Sequence, residues 1–153
     1  MTFSNNHHRK AEGFTLLELL IVIAIIAILA SLVLAAASSV QKKGARSRAE
    51  GEIAALEAAL ESFKADNGDY PSNSIAGNSA CLVTNLMPTN GGKVYYEFKS
   101  KWLSGNNYLD PFGYSYNYIY TNGSPNNGTY NYDLWSTAGN SSDTNSQHWI
   151  KNW

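Results

Sequence analysis

Residues Leu19–Ala37 are apolar at every position except Ser31. At about 1.5 Å of rise per residue the run makes a helix of roughly 28 Å, against about 30 Å for the hydrocarbon core of a bilayer. It is apolar all round, without the polar face a surface helix needs, so it reads as a membrane span. From Gly44 onward the helical period persists but the apolar positions narrow to one stripe. Ile53, Leu56, Leu60 and Phe63 recur at intervals of 3, 4 and 3, with Glu57, Glu61 and Lys64 off the stripe. No proline interrupts Phe14–Asp66, so one continuous helix is expected over 14–66. It should stop at Asp66-Asn67-Gly68, where glycine suits a left-handed cap and Pro71 prevents resumption. The stripe is too short for a soluble coiled coil and is expected to lie on a head domain.

Beyond the helix the pattern breaks into short pieces. Asp66–Pro88 reads as loop plus a short helix with Leu82, Val83, Leu86 and Met87 as its apolar face. Three aromatic-rich runs follow, Val94–Phe98, Tyr114–Tyr120 and Tyr130–Trp135, and are expected to supply a small antiparallel sheet. Tyr114-Ser-Tyr-Asn-Tyr-Ile-Tyr120 alternates as a half-buried strand does. The Asn, Gly and Pro of Thr121–Gly128 make a turn joining it to Tyr130–Trp135 as a hairpin. The tyrosine ladder is read as sheet packing, with a ligand platform as the competing reading. The expected class is α+β: a long N-terminal helix packed on a small antiparallel head. Its divisions are a leader at 1–13, the helix at 14–66 with its span at 14–37, and a head at 67–153.

Charge gives the span a direction. His7, His8, Arg9 and Lys10 precede it, which keeps the N-terminus cytoplasmic and puts the head across the membrane. A cleaved secretory signal, cut near Ala35-Ala36-Ala37-Ser38, is the competing reading. The run exceeds the 7 to 15 residues, or about that, of a usual signal core, and a simple signal has no use for the carboxylate of Glu18. The 153 residues carry a net charge of −1. Losing residues 1–13 takes Arg9, Lys10 and Glu12 from the 11 basic and 12 acidic residues and leaves −2. No basic tail suggests nucleic acid. The single cysteine, Cys81, cannot form an intramolecular disulfide and reads as a small buried hydrophobe. Three Asn-x-Ser/Thr triplets, starting at Asn122, Asn127 and Asn140, read as turns. His148 is the only histidine after the leader, and no nucleophile–base pairing is visible, so no enzyme is expected.

The stretch Lys10-Ala-Glu-Gly-Phe-Thr-Leu-Leu-Glu18, with its apolar continuation, resembles the type IV pilin superfamily. The resemblance implies that a prepilin peptidase cuts between Gly13 and Phe14 and methylates the new Phe14 N-terminus. It also makes Glu18 the family's filament-assembly glutamate. After cleavage the Phe14 ammonium and the Glu18 carboxylate stand one helical turn apart, and bundled apolar helices would strip water from both. Pairing between neighbouring subunits removes both penalties and sets an axial register. The alternative is that Glu18 serves only its own Phe14 amine and helix dipole.

Ile53–Pro71, Leu109–Tyr118, Tyr132–Ser136 and Ile150–Trp153 look most like the major pseudopilin of type II secretion. The absence of a cysteine pair leans the same way. This implies a subunit held in the bacterial inner membrane that self-assembles into a periplasmic filament driving export across the outer membrane. The implied partners are the prepilin peptidase, minor pseudopilins, a secretion ATPase and its inner-membrane platform. A type IV pilus subunit for adhesion, motility or DNA uptake is the second reading, and a membrane-anchored sugar-binding module the third. The major pseudopilin binds calcium before its terminal Asn-Trp through several carboxylates. Here Ala138–Trp149 contains one acid, Asp143, with Asn140 and Gln147 about where others would stand. No cofactor is therefore expected, and Asn140 and Asp143 are the candidates should calcium bind. Trp149 and Trp153 are expected to hold the loop by packing.

Overall fold

The computed structural model describes residues 13–120, 126–128, 130–140 and 146–153. The leader up to residue 12, most of the expected turn at Thr121–Gly128, and Asp143 lie outside the described residues. The first element, α1, is an α-helix over Leu16–Asn67, as the unbroken helical pattern predicts. The chain divides into two compact units after Gln41.

In the first unit every residue from Gly13 to Leu34 is exposed. Leucine, isoleucine and valine at roughly half exposure or more make an apolar surface that a lipid or a partner helix would cover. Among the described residues, α1 is the helix long and apolar enough to cross a membrane.

In the second unit the predicted stripe is the core face of α1. Leu56 and Leu60 are fully buried, Ile53 almost so, and Ala49 and Ala59 fill the gaps between them. Each buried leucine contributes about 1.5–3 kcal/mol. The helix ends as expected: Gly68 takes a φ of +87° and its N–H reaches the Lys64 carbonyl at 2.7 Å.

The head adds β1 (Asn73–Asn78), α2 (Ala80–Leu86), β2 (Leu103–Ser104), β3 (Asn107–Tyr108), β4 (Asn117–Tyr120), β5 (Asp133–Ser136) and β6 (Ile150–Lys151). A four-stranded antiparallel sheet has the order β1-β4-β5-β6, and β2 and β3 form a separate two-stranded ribbon. The expected hairpin is β4–β5, in register Tyr118↔Leu134. The tyrosine alternation holds: Tyr116 and Tyr118 are fully buried with Leu82, Leu86 and Leu134. Their hydroxyls are satisfied, Tyr116 donating to Glu52 Oε2 and Tyr118 to the Pro71 carbonyl, each at 2.8 Å. Burial pushes both phenols far above their ordinary range, so they remain neutral donors.

Two expectations are corrected. Val94–Phe98 is not a strand: the N–H groups of Tyr95 and Tyr96 both donate to the Leu86 carbonyl, at 2.8 and 3.2 Å, and wrap the segment over α2. Phe98 is still a core residue, 3% exposed. Conversely Asn73–Asn78, read as loop, is an edge strand paired with β4 through an irregular register. Its Asn, Ser, Ala and Gly content carries no strand signal, and the exposed edge of β4 supplies the pairing that propensity does not.

Candidate assembly site

The start of α1 is organised by Thr15 and Glu18. The Thr15 hydroxyl oxygen accepts the Glu18 N–H at 3.2 Å, while Glu18 Oε2 accepts the Thr15 N–H and the Thr15 hydroxyl, both at 2.9 Å. The Thr15 carbonyl accepts the first helical bond, from Leu19 N–H, at 3.2 Å. This reciprocal arrangement is a capping box, which satisfies N–H groups that a helix start otherwise leaves without partners. Sequence reading missed Thr15, although Thr-Leu-Leu-Glu at 15–18 is the Thr-x-x-Glu pattern ahead of an apolar run. Of the predicted site residues, Phe14 stands 76% exposed just before the box. Gly13 is exposed too, and a Cβ added to it would meet nothing within 4 Å. Any requirement for glycine there comes from outside this chain's own fold.

The remaining candidate, Asn140, lies in the second unit, in the loop that opens at the end of β5. That loop is tied down at its start by Asp110. The fully buried Asp110 carboxylate accepts the N–H groups of Phe112 and Tyr114 at 2.9 Å each and the Ser136 hydroxyl at 2.5 Å. Ser136 in turn accepts the Ala138 N–H at 3.0 Å. The Asp110-Pro-Phe-Gly113 turn forms as its sequence demands, with Gly113 N–H on the Asp110 carbonyl at 2.9 Å and Gly113 at a φ of +88°. At the far end Trp149 stacks on Trp135 with centroids 5.6 Å apart and planes at 14°, and Trp153 meets Trp135 edge-on at 5.8 Å. Asn152 side-chain oxygen accepts the Leu134 N–H at 2.9 Å, and the Arg46 guanidinium donates to the His148 carbonyl at 3.2 Å.

A second polar network sits further along α1. Arg48 donates twice to Glu52 Oε1, at 2.8 and 2.6 Å, and lies 3.9 Å over the Trp102 ring. Glu57, on the same helix, is raised above the ordinary glutamate range by burial, with nearby Glu61 adding to the shift and a hydrogen bond from Asn152 opposing it. These contacts orient head elements on the helix; no cleft with a nucleophile and a base accompanies them among the described residues.

A membrane-length helix that starts in a Thr–Glu cap and ends inside a small α+β head defines the pilin-like class of membrane-anchored filament subunits. Residues 8–34 match the prokaryotic N-terminal methylation motif, and residues 37–153 match the family of type II secretion system protein G. The chain belongs to that family of structural pseudopilins. Among its relatives, the type II secretion system core protein G of Vibrio cholerae is 38% identical over 108 residues, covering 67% of this chain and 73% of that one. The protein of the same name from Pseudomonas aeruginosa is 35% identical, covering 72% and 75%, and that from Escherichia coli K12 is 40% identical, covering 52% and 54%.

Proposed function

We propose that this chain polymerises into a type II secretion pseudopilus whose growth drives protein export across the outer membrane. The observation that carries the reading is an apolar helical surface, exposed from Phe14 to Leu34, headed by a carboxylate at Glu18. Such a surface has two uses in sequence: lipid covers it while the subunit is stored, and neighbouring helices cover it in the filament. In this reading the N-terminus is cytoplasmic, the span lies in the inner membrane, and the head is periplasmic. The prepilin peptidase cuts at Gly13/Phe14 and methylates Phe14. Cleavage brings an ammonium to the residue beside the cap, and Glu18 exchanges its Thr15 contacts for the ammonium of an adjacent subunit. The secretion ATPase and its platform supply energy, minor pseudopilins share the filament, and this chain supplies packing and register.

Intact mass of the membrane-extracted protein tests the processing step, with methyl-Phe14 as the expected first residue. A chain starting at Met1 or Ser38 would remove the basis for assembly. Gly13→Leu should leave the precursor uncut, and normal maturation of that variant would contradict the assigned cleavage site.

The same reading holds the C-terminal loop without calcium. Calcium takes about six to eight oxygens, preferably with several carboxylates among them. Asn140 offers neutral donors, and Asp143 lies outside the described residues. The carboxylate of Asp110 is committed to three donors, and that of Asp133 accepts from Asn126 and Asn127. Among the described residues no three His, Cys, Asp or Glu side chains gather as a metal site would need. The described part of the loop supplies no carboxylate for the ion, and the Trp135–Trp149–Trp153 cluster supports closure by packing.

A further inference from the structure

Beside Asn140 lies a cavity of about 350 Å³ lined by Lys42, Arg46, Phe112, Ala138, Gly139 and Asn140. Among the described residues its charged walls, Lys42 and Arg46, are both cationic, which suits an anion. We propose that this cavity binds the phosphate headgroup of an anionic phospholipid at the point where the chain leaves the membrane.

The walls divide into a cationic half and an apolar half. Lys42 and Arg46 are four residues apart on α1, so they share one helical face. Arg46 is held in place by its 3.2 Å bond to the His148 carbonyl and its 3.2 Å contact with Glu50. A guanidinium has about five N–H donors, so those two contacts leave capacity for a third oxygen. Lys42, and Lys43 beside it, are exposed and in no ion pair among the described residues. Opposite them Ala138 and Gly139 both adopt positive φ, +53° and +89°, turning the loop backbone against Phe112. A Cβ on Gly139 would come within 3.2 Å of the Phe112 ring, so glycine permits this close approach. Phe112 and Ala138 thus give an apolar floor for glycerol carbons, next to cations for the phosphate.

Position along the chain selects the lipid over a free anion. Lys42 is the fifth residue after Ala37, the last of the apolar run, so in sequence it follows the segment read as the span at once, where a headgroup layer begins. The chain without its leader carries net −2, so attraction for an anion is a local property of this cluster and not of the whole surface.

The test uses the full chain reconstituted in nanodiscs of phosphatidylcholine, alone or with about one-third phosphatidylglycerol. Amide NMR shifts of Ala138, Gly139 and Asn140 are followed in each. Those three amides should move with the phosphatidylglycerol fraction, and Lys42→Gln should weaken the response about fivefold, the effect of one cation near an anionic surface. Lys101→Glu, which changes charge outside the lining of this cavity, should leave it intact. Equal spectra in the two lipids, or an undiminished response in Lys42→Gln, would overturn the proposal. Inorganic phosphate added to phosphatidylcholine discs is the second arm: shifts at the same amides would replace the lipid with a free-anion site. The inference rests on membrane anchoring, and the same sample separates the two failures. A chain that leaves both kinds of disc argues against anchoring, whereas a retained chain with unchanged spectra argues against the site alone.

Discussion

Glu18 Oε2 accepts both the N–H and the hydroxyl of Thr15, three residues before it. In the chain before assembly, the carboxylate assigned to filament register is therefore already occupied by its own helix. Thr15→Val removes the hydroxyl but keeps the shape, and should fray the first turn and raise hydrogen exchange at Leu17 and Glu18. Glu18→Ala should still insert into the membrane yet assemble poorly, measured as sheared filaments per cell. Normal filaments from Glu18→Ala would show that the carboxylate sets no register.

Asp110 joins two ends of the head, the turn before β4 and the loop after β5. Asp110→Ala leaves the Phe112, Tyr114 and Ser136 donors without their acceptor, and at about 1–3 kcal/mol for each buried group left unpaired it should destabilise the head by about 3 kcal/mol or more. Every Tyr and Trp of the chain lies beyond Asn67. Near-UV circular dichroism during urea unfolding therefore reports the head alone, and a midpoint equal to wild type would refute the role.

The tryptophan cluster makes a separate prediction. Trp149 is half-buried, so Trp149→Ala should cost about 1–3 kcal/mol, below the range for a fully buried tryptophan. Calcium or a chelator should leave the melting temperature of the wild-type head unchanged. A rise of several degrees with millimolar calcium would assign the loop to metal.

Acid should loosen the join between helix and head. A hydrogen bond from the Tyr120 hydroxyl and one from the Tyr70 N–H hold Asp69 below its ordinary value of 3.8. Asp66 is lowered chiefly by Lys93 and by the Tyr95 hydroxyl. A carboxylate depressed in this way lends stability above its ordinary value and loses it as pH falls through the lower folded one. Glu57, raised by burial, runs the other way, its contribution fading as pH rises past 4.5. The thermal midpoint should therefore drop on acidification below the ordinary aspartate value, and Asp69→Asn should flatten that drop. A slope identical in wild type and variant would remove Asp69 from the account.

Periodicity carried the helix and the hairpin because each repeats a single burial decision. Ile53, Leu56 and Leu60 fall on one face of α1, and Tyr116 and Tyr118 on one face of β4, so the spacing itself encodes what is covered. The strand at Asn73–Asn78 was illegible because its pairing is decided by β4, far along the chain. Val94–Phe98 misled for the opposite reason: its aromatics pack on the core, but the N–H groups of Tyr95 and Tyr96 go to one carbonyl of α2 and not to a strand. At the start of α1 a resemblance pointed to Gly13, Phe14 and Glu18, while the Thr15 cap needed only its spacing from Glu18. The cationic walls near Asn140 were hidden, since Lys42 and Arg46 lie about a hundred residues before the loop they face.

Among the described residues β1 and β6 form the edges of the sheet, and neither is built to receive another strand. β6 contributes two residues, Ile150 and Lys151, too short a template for pairing. β1 shifts register between Asn73 and Asn78, which spoils the even spacing of N–H and C=O groups that an incoming strand would copy. Heads crowded side by side cannot zip their sheets together. In the proposed filament, contact between heads would therefore fall to side chains.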